Sequence, residues 1–231
     1  MIECAVWWAT PLPNEASHLS LLDPLEQGRH GNYRQEIDQR RFLTGRVLAK
    51  TVVGELLGLA PGEVEFDATC ADCGKPHGPP RVTGASVTFS ISHSGDRIGL
   101  AMADGVPVGL DVETATRRAD DSLISYALSE AEAAALAGLE PAAKSTAFFT
   151  YWTRKEALMK ATGRGLKIPL QGITLSPPGE PARLLESTDP ALDPANARLT
   201  DLDPGDGYRA AVALLTDAEP KVTERWWTPP S

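Results

Sequence analysis

Cysteine is scarce in this 231-residue sequence: there are three, an odd number, which argues against a secreted scaffold built on disulfides. Long apolar runs are missing too. No segment approaches the roughly 20 residues that a membrane-crossing helix needs. The opening "MIECAVWWATPLPNE" has no basic stretch ahead of an apolar core, so no secretion signal is expected. Positive charge is in deficit, with 22 Lys and Arg against 31 Asp and Glu and a formal net charge of -9. Binding to DNA or RNA depends on neutralising phosphates, so nucleic acid is not an expected partner, although a local basic pocket for a small phosphorylated ligand is compatible with the total. The phosphate-cradling pattern GxxxxGK[ST] is absent, "GKPHG" being no substitute, and no GxGxxG follows a strand, which removes the main support for ATPase and dinucleotide-binding readings. With 42% hydrophobic and 23% charged residues, the expectation is a globular cytoplasmic protein of one large or two small domains.

What is present alternates between strand and helix. "IECAVWWA" reads as an opening strand closed by "TPLPNE". Residues 34–58 carry the clearest helical period, with Phe42, Leu43, Val47, Leu48, Val52 and Leu56 on an apolar stripe and Arg41, Arg46 and Lys50 on a basic flank. "VTFSIS", "IGLAMA" and "VPVGLDVE" read as a three-stranded antiparallel meander. "LISYALSEAEAAALAGL" is helical, with Ser129 as N-cap and Glu132 three residues on. "AKSTAFFTYWTRKEALMKATG" is a second long helix, and "YRAAVALL" is the last strong strand. A division near residues 110–120 leaves halves of similar size, each with helix and strand.

Three short blocks carry the chemistry. In "VGLDVE", strand alternation puts Val108, Leu110 and Val112 on one face and Asp111 and Glu113 on the other. Adjacent carboxylates repel unless a proton or cation lies between them, so the pair is either an exposed strand face or half of a divalent-metal site. In "WTRKEALMK", Trp152, Glu156 and Lys160 follow one another at helical spacing and share a side, as an ordinary surface pair or as a third acid with a phosphate-neutralising lysine. Hard cations such as Mg2+ take oxygen ligands and keep positions for water and substrate phosphate. In "FSISHSG", Ser90, Ser92, His93 and Ser94 are either turn and strand polarity or a phosphate-binding turn, for which Arg41, Arg46, Lys50 and Lys75 are further cationic candidates.

In this order, "FSISHSG", "VGLDVE" and "WTRKEALMKATGRGL" resemble the 4'-phosphopantetheinyl transferases, specifically the surfactin-synthetase-type class. The resemblance runs from "RRFLTGRVLAK" to "GYRAAVALL", and its ordered GxDxE and WxxKExxxK blocks are the specific part. It implies an α+β pseudo-dimer of two similar α+β halves with the active site in the cleft between them. Residues 1–113 would hold the coenzyme A phosphate-binding segments and the metal-binding strand. Residues 114–231 would hold the catalytic helix and the carrier-protein contact surface, where Leu123, Ile124 and Leu128 are either contact or core. The implied reaction is Mg2+-dependent transfer of 4'-phosphopantetheine from coenzyme A to a serine of an apo acyl or peptidyl carrier protein, releasing adenosine 3',5'-bisphosphate. By the same resemblance Asp111, Glu113 and Glu156 bind the metal, Lys160 meets the diphosphate, and Arg41, Lys75, Ser92 and His93 lie on the coenzyme side. Arg46 falls where relatives can carry an acid, so its role is open, and Glu156 is the candidate general base. "GRGL" at 163–166 is expected to shape the cleft edge.

Two further expectations follow. Cys70, Cys73 and His77, with Cys4 only if folding brings it near, form an incomplete zinc set, and a reduced structural CxxC is the alternative. One chain has residues enough for both sides of the cleft, so a monomer is expected. The competing classes are a noncatalytic binder of coenzyme A or a carrier on the same fold, and a Mg2+-dependent nucleotide phosphohydrolase.

Overall fold

A computed structural model describes residues 1–69, 74–75, 78, 80–164 and 168–229. In chain order the elements that matter are β1 (Ile2–Ala9), α1 (Ala16–Leu19), α2 (Pro24–Asn32), α3 (Glu36–Leu57), β2 (Phe66–Asp67), β3 (Arg81–Val82), β4 (Val87–Ser94), β5 (Arg97–Asp104) and β6 (Val108–Thr114). They continue with α4 (Asp121–Ala127), α5 (Glu130–Ala135), α6 (Pro141–Thr162), β7 (Ile173–Leu175), β8 (Leu184–Ser187), β9 (Ala197–Leu202), β10 (Tyr208–Leu215) and β11 (Pro220–Trp226). The chain is an α+β pseudo-dimer of two similar halves, each a long helix laid on a sheet.

The first sheet has the order β11-β1-β5-β4 and the second β6-β10-β9. Strand alternation explains how they stack. Phe89, Ile98 and Leu100 face α3 through Leu48, Ala49, Val52 and Val53. On the opposite face Val6, Trp8, Ala101 and Ala103 meet Leu110, Val112, Val212 and Leu214 of the second sheet. Beyond that sheet, Ala211 and Ala213 of β10 pack on Phe148, Ala157 and Leu158 of α6. The layers therefore run α3, sheet, sheet, α6. Pro141 opens α6 at a position where its missing N–H is no loss, and Gly163, at φ 69°, ends the helix. The Ser129–Glu132 capping box expected for α5 is present.

Two expectations are corrected. The meander stops after β4 and β5, which pair antiparallel; β6 joins β10 in the other sheet instead. Leu56 is not on the buried stripe of α3 but 57% exposed near the helix end. The ladders also cross the division expected between residues 113 and 114 in both directions, since β6 pairs with β10 while β11 returns to lie parallel to β1.

The glycine of "VGLDVE" sets the depth of the second half. A Cβ at Gly109 would collide with the Ala157 carbonyl oxygen and the Ala161 nitrogen, so α6 lies directly on the β6 backbone there. Gly109→Ala is expected to cost about 1–3 kcal/mol, or more if the backbone cannot yield. The readout is a lowered urea midpoint, and an unchanged midpoint would show that α6 is free to lift off β6.

Candidate active site

The alternation of β6 holds as read. Val108, Leu110 and Val112 are buried between the sheets, and Asp111 and Glu113 lie on the α6 side, where Glu156 and Lys160 arrive one helical turn apart. Lys160 Nζ donates to Asp111 Oδ1 at 2.8 Å, to Ser92 Oγ at 3.0 Å and to the Leu110 carbonyl at 2.9 Å. An ammonium has three donors, so this set occupies all of them. The other Asp111 oxygen, Oδ2, is buried and has no hydrogen-bond partner. Glu113 accepts from Ser94 Oγ at 2.8 Å and pairs with Arg117 at 3.3 Å. Burial and the Asp111 charge push its pKa up against the pull of Ser94, Arg117 and Lys160. The Glu156 carboxyl is pushed up to about 7, by burial first and then by Asp111 and Glu113, with Lys160 opposing.

Among the described residues, no group of three or more His, Cys, Asp or Glu side chains is arranged to hold a metal ion as it stands. The donor set nevertheless suits a hard cation that takes only part of its shell from protein. An orphaned buried carboxylate oxygen and two carboxyls destabilised by a neighbouring anion are what a bound dication would relieve.

The serines of β4 were read either as turn and strand polarity or as part of a phosphate-binding turn, with Ser92 implied on the coenzyme side. The Ser92 side chain is engaged internally. Its hydroxyl donates to Asp111 Oδ1 at 2.9 Å and accepts from the Val112 N–H at 3.3 Å and from Lys160, which uses its one proton and both lone pairs internally. Ser94 accepts from the Thr114 N–H at 3.1 Å and Ser90 from the Leu110 N–H at 3.0 Å.

Beside the acids opens a cleft of about 1210 Å³, walled by both halves. His93, Arg41 and Arg46 line it, together with Lys160. Arg41 Nε donates to the Gly95 carbonyl at 2.7 Å, and its Nη1 pairs with Asp38 at 2.8 Å. His93 reaches solvent in the cleft, yet the surrounding protein and then the Lys160 and Arg41 charges lower its pKa from the ordinary histidine value. Arg46 is mostly buried, 3.6 Å from Glu26 and with its guanidinium 5.3 Å from the centre of the Phe42 ring. Burial lowers its pKa.

Other expected residues lie elsewhere. Lys50 is 1% exposed, donates to the Val64 carbonyl at 2.8 Å and pairs with Glu26 at 3.1 Å, so it is an interior cation and not a pocket residue. Lys75 is exposed and, among the described residues, is not part of the cleft wall. Ile124 and Leu128 are core residues of the second half, and Leu123 packs against them. Cys70, Cys73 and His77 lie outside the described residues, as do Gly165 and Leu166; Gly163 and Arg164 of the same turn line the cleft. Cys4 is buried, and its thiol is pushed up to about 12 by burial.

Two cleft cations went unread in the sequence, Arg29 on α2 and Arg81 on β3, while Arg164 belongs to the turn read as the cleft edge. A signal existed for the first. "DPLE" is a capping box, in which Asp23 and Glu26 bond reciprocally, and it starts the helix that carries Arg29.

Comparison with known proteins finds matches along both parts of the chain. Residues 107–213 match the family described as 4'-phosphopantetheinyl transferase superfamily, and residues 7–104 match 4'-phosphopantetheinyl transferase, N-terminal. The chain is 34% identical over 213 residues to the 4'-phosphopantetheinyl transferase HetI of Nostoc sp. strain PCC 7120, covering 90% of this chain and 86% of the relative. It is 30% identical over 237 residues to the phosphopantetheinyl transferase of Thraustochytrium sp., covering 94% and 80%. With the 4'-phosphopantetheinyl transferase Sfp of Bacillus subtilis strain 168 it shares 25% identity over 209 residues, covering 90% and 89%. Among solved structures, the holo-[acyl-carrier-protein] synthase of Thermotoga maritima overlaps 49% of this chain and 65% of its own, at a TM-score of 0.39 and 19% identity.

The raised Glu156 carboxyl has a consequence for the ligand-free protein. Holding the proton is favoured by the fold, so the stability it contributes is full below the ordinary carboxyl pKa of 4.5 and is lost as pH rises through about 7. Glu156→Gln removes the charge at constant shape. Between about pH 5 and about pH 8 the melting temperature of the wild type is expected to fall relative to Glu156→Gln. Parallel curves would mean that the Glu156 carboxyl is not raised in the folded protein.

Proposed function

The chain belongs to the 4'-phosphopantetheinyl transferase superfamily, and from that premise we propose that it is a surfactin-synthetase-type transferase that loads apo acyl or peptidyl carrier proteins from coenzyme A. The observation that carries the reading is the meeting of β6 and α6. Two acids of one element and an acid–lysine pair of the other converge beside a cleft walled with arginines, in a chain whose net charge is -9. A cationic pocket in an acidic protein suits a small polyanion and not a nucleic-acid surface.

In the proposed reaction the carrier serine Oγ attacks the β-phosphorus of coenzyme A. The new O–P bond replaces the bond to the α-phosphate oxygen, and adenosine 3',5'-bisphosphate leaves. Arg41, His93 and the further cleft arginines would bind and orient the nucleotide end. Asp111, Glu113 and Glu156 would hold Mg2+, which when bound offsets charge on the diphosphate. Glu156, or a water it orients, is the proposed acceptor of the serine proton. Lys160 must exchange one of its internal acceptors for a phosphate oxygen if it is to touch the substrate. Both sides of the site come from one chain, so the protein would work as a monomer, and we place it in the cytoplasm, where its substrates are made. Among the described residues no helix is long and apolar enough to cross a membrane.

Incubation with Mg2+, coenzyme A and a panel of apo carrier domains is expected to add one phosphopantetheine to a carrier serine, read by intact-protein mass spectrometry. No modified carrier from folded protein defeats the proposal, and adenosine bisphosphate released equally without carrier would identify a phosphohydrolase. Asp111→Ala is expected to lower kcat/KM roughly hundredfold or more without loss of fold.

A further inference from the structure

We propose that Ser92 and Ser94 are positioning residues: across the seam between the two halves they aim the carboxylates of Asp111 and Glu113 and so set the affinity of the site for a divalent cation. The inference rests on the metal-dependent transferase reading above and goes beyond it, because it gives the serines a task that does not involve touching coenzyme A.

The geometry has three repeats. At residues 90, 92 and 94 of β4 a hydroxyl accepts from the backbone N–H of residue 110, 112 or 114 of β6. The strands therefore run side by side in the same direction, advancing two residues on each strand per step, joined through side chains and not by a backbone ladder. At two of the three steps the same hydroxyl donates to an acid, Ser92 to Asp111 Oδ1 at 2.9 Å and Ser94 to Glu113 Oε2 at 2.8 Å. Each serine oxygen is fixed by the backbone N–H behind it, so its proton has a fixed direction. For Asp111 this leaves Oδ1 engaged by Ser92 and Lys160 and turns Oδ2 away as the free oxygen. Ser92 is buried and Ser94 half-buried, so water competes little for these bonds. Partners that orient a metal-binding side chain typically change metal affinity by about 10- to 100-fold when removed.

Ser90 supplies the control. It makes the same bond to a β6 N–H, yet its hydroxyl makes no bond to an acid among the described residues. The full chain and the variants Ser90→Ala, Ser92→Ala and Ser94→Ala are titrated with Mn2+ in the presence of coenzyme A and without carrier, and free Mn2+ is followed by electron paramagnetic resonance. All three variants are expected to melt lower than wild type, because each loses one bond of the seam. Ser92→Ala and Ser94→Ala are expected to bind Mn2+ about tenfold or more weakly than Ser90→Ala, and Ser94→Thr, which keeps the hydroxyl, to recover most of the loss. If Ser92→Ala fails to fold, Ser94→Ala, at the more open end of the seam, carries the comparison. Equal Mn2+ affinity in the three alanine variants overturns the inference and leaves the transferase reading standing. Wild-type protein that binds no Mn2+ with coenzyme A present overturns both.

Discussion

A strand edge must find hydrogen-bond partners, and at β6 that requirement governs the cleft. One edge of β6 is taken by β10. On the other, the N–H groups of Leu110, Val112 and Thr114 are met by serine hydroxyls of β4. A buried N–H left alone costs about 1–3 kcal/mol, so three such groups are a strong constraint on how the halves dock. Because Ser92 and Ser94 also bond the acids, docking the halves and orienting Asp111 and Glu113 are one event.

The second constraint is the seating of α6. Gly109 lets the helix touch the β6 backbone, and three consecutive side chains then point in three directions. Arg154 is wholly buried and binds Asp201 at 2.6 Å and the Ser176 carbonyl at 2.7 Å. Lys155, also wholly buried, pairs with Glu132 and donates to the carbonyls of Ala127, Leu170 and Ile173. Breaking such a buried pair typically costs about 3–5 kcal/mol, because the surviving charge has no partner. Glu156 is thus held beside Asp111 and Glu113 by a helix anchored on its two other sides.

Charge is deliberately unbalanced where these constraints meet. Lys160 answers Asp111, while burial first, and the neighbouring carboxylates second, raise the pKa of Glu113 and Glu156. The opposite wall of the cleft is cationic, with Arg29, Arg41, Arg46 and Arg81 along it. A ligand bringing both phosphates and a dication would complement both walls at once.

Much of this was legible in the chain. The period of two in "VGLDVE" assigned faces to Asp111 and Glu113, the helical spacing in "WTRKEALMK" put Glu156 and Lys160 on one side, and the order of the blocks identified the family. Periodicity records which side of a strand or helix is apolar. It does not record which neighbour takes the strand's edge, and so β6 was read into a meander when it belongs to the β10 sheet. The same gap hid the work of the serines, since a hydroxyl can donate or accept toward ligand, backbone or carboxylate, and only the docking of the two sheets brought Asp111 and Glu113 within its reach. Nor does spacing distinguish a cation bound for the cleft from one bound for the interior: Arg46 and Lys50 are one turn apart on α3, and the chain's path through α2 and Val64 sends Lys50 inward while leaving Arg46 at the wall. The sequence by itself determined the main elements and the faces of β6 and α6 that carry the acids and Lys160; the tertiary structure decided which partner each polar group met, because that depends on distances between segments far apart in the chain.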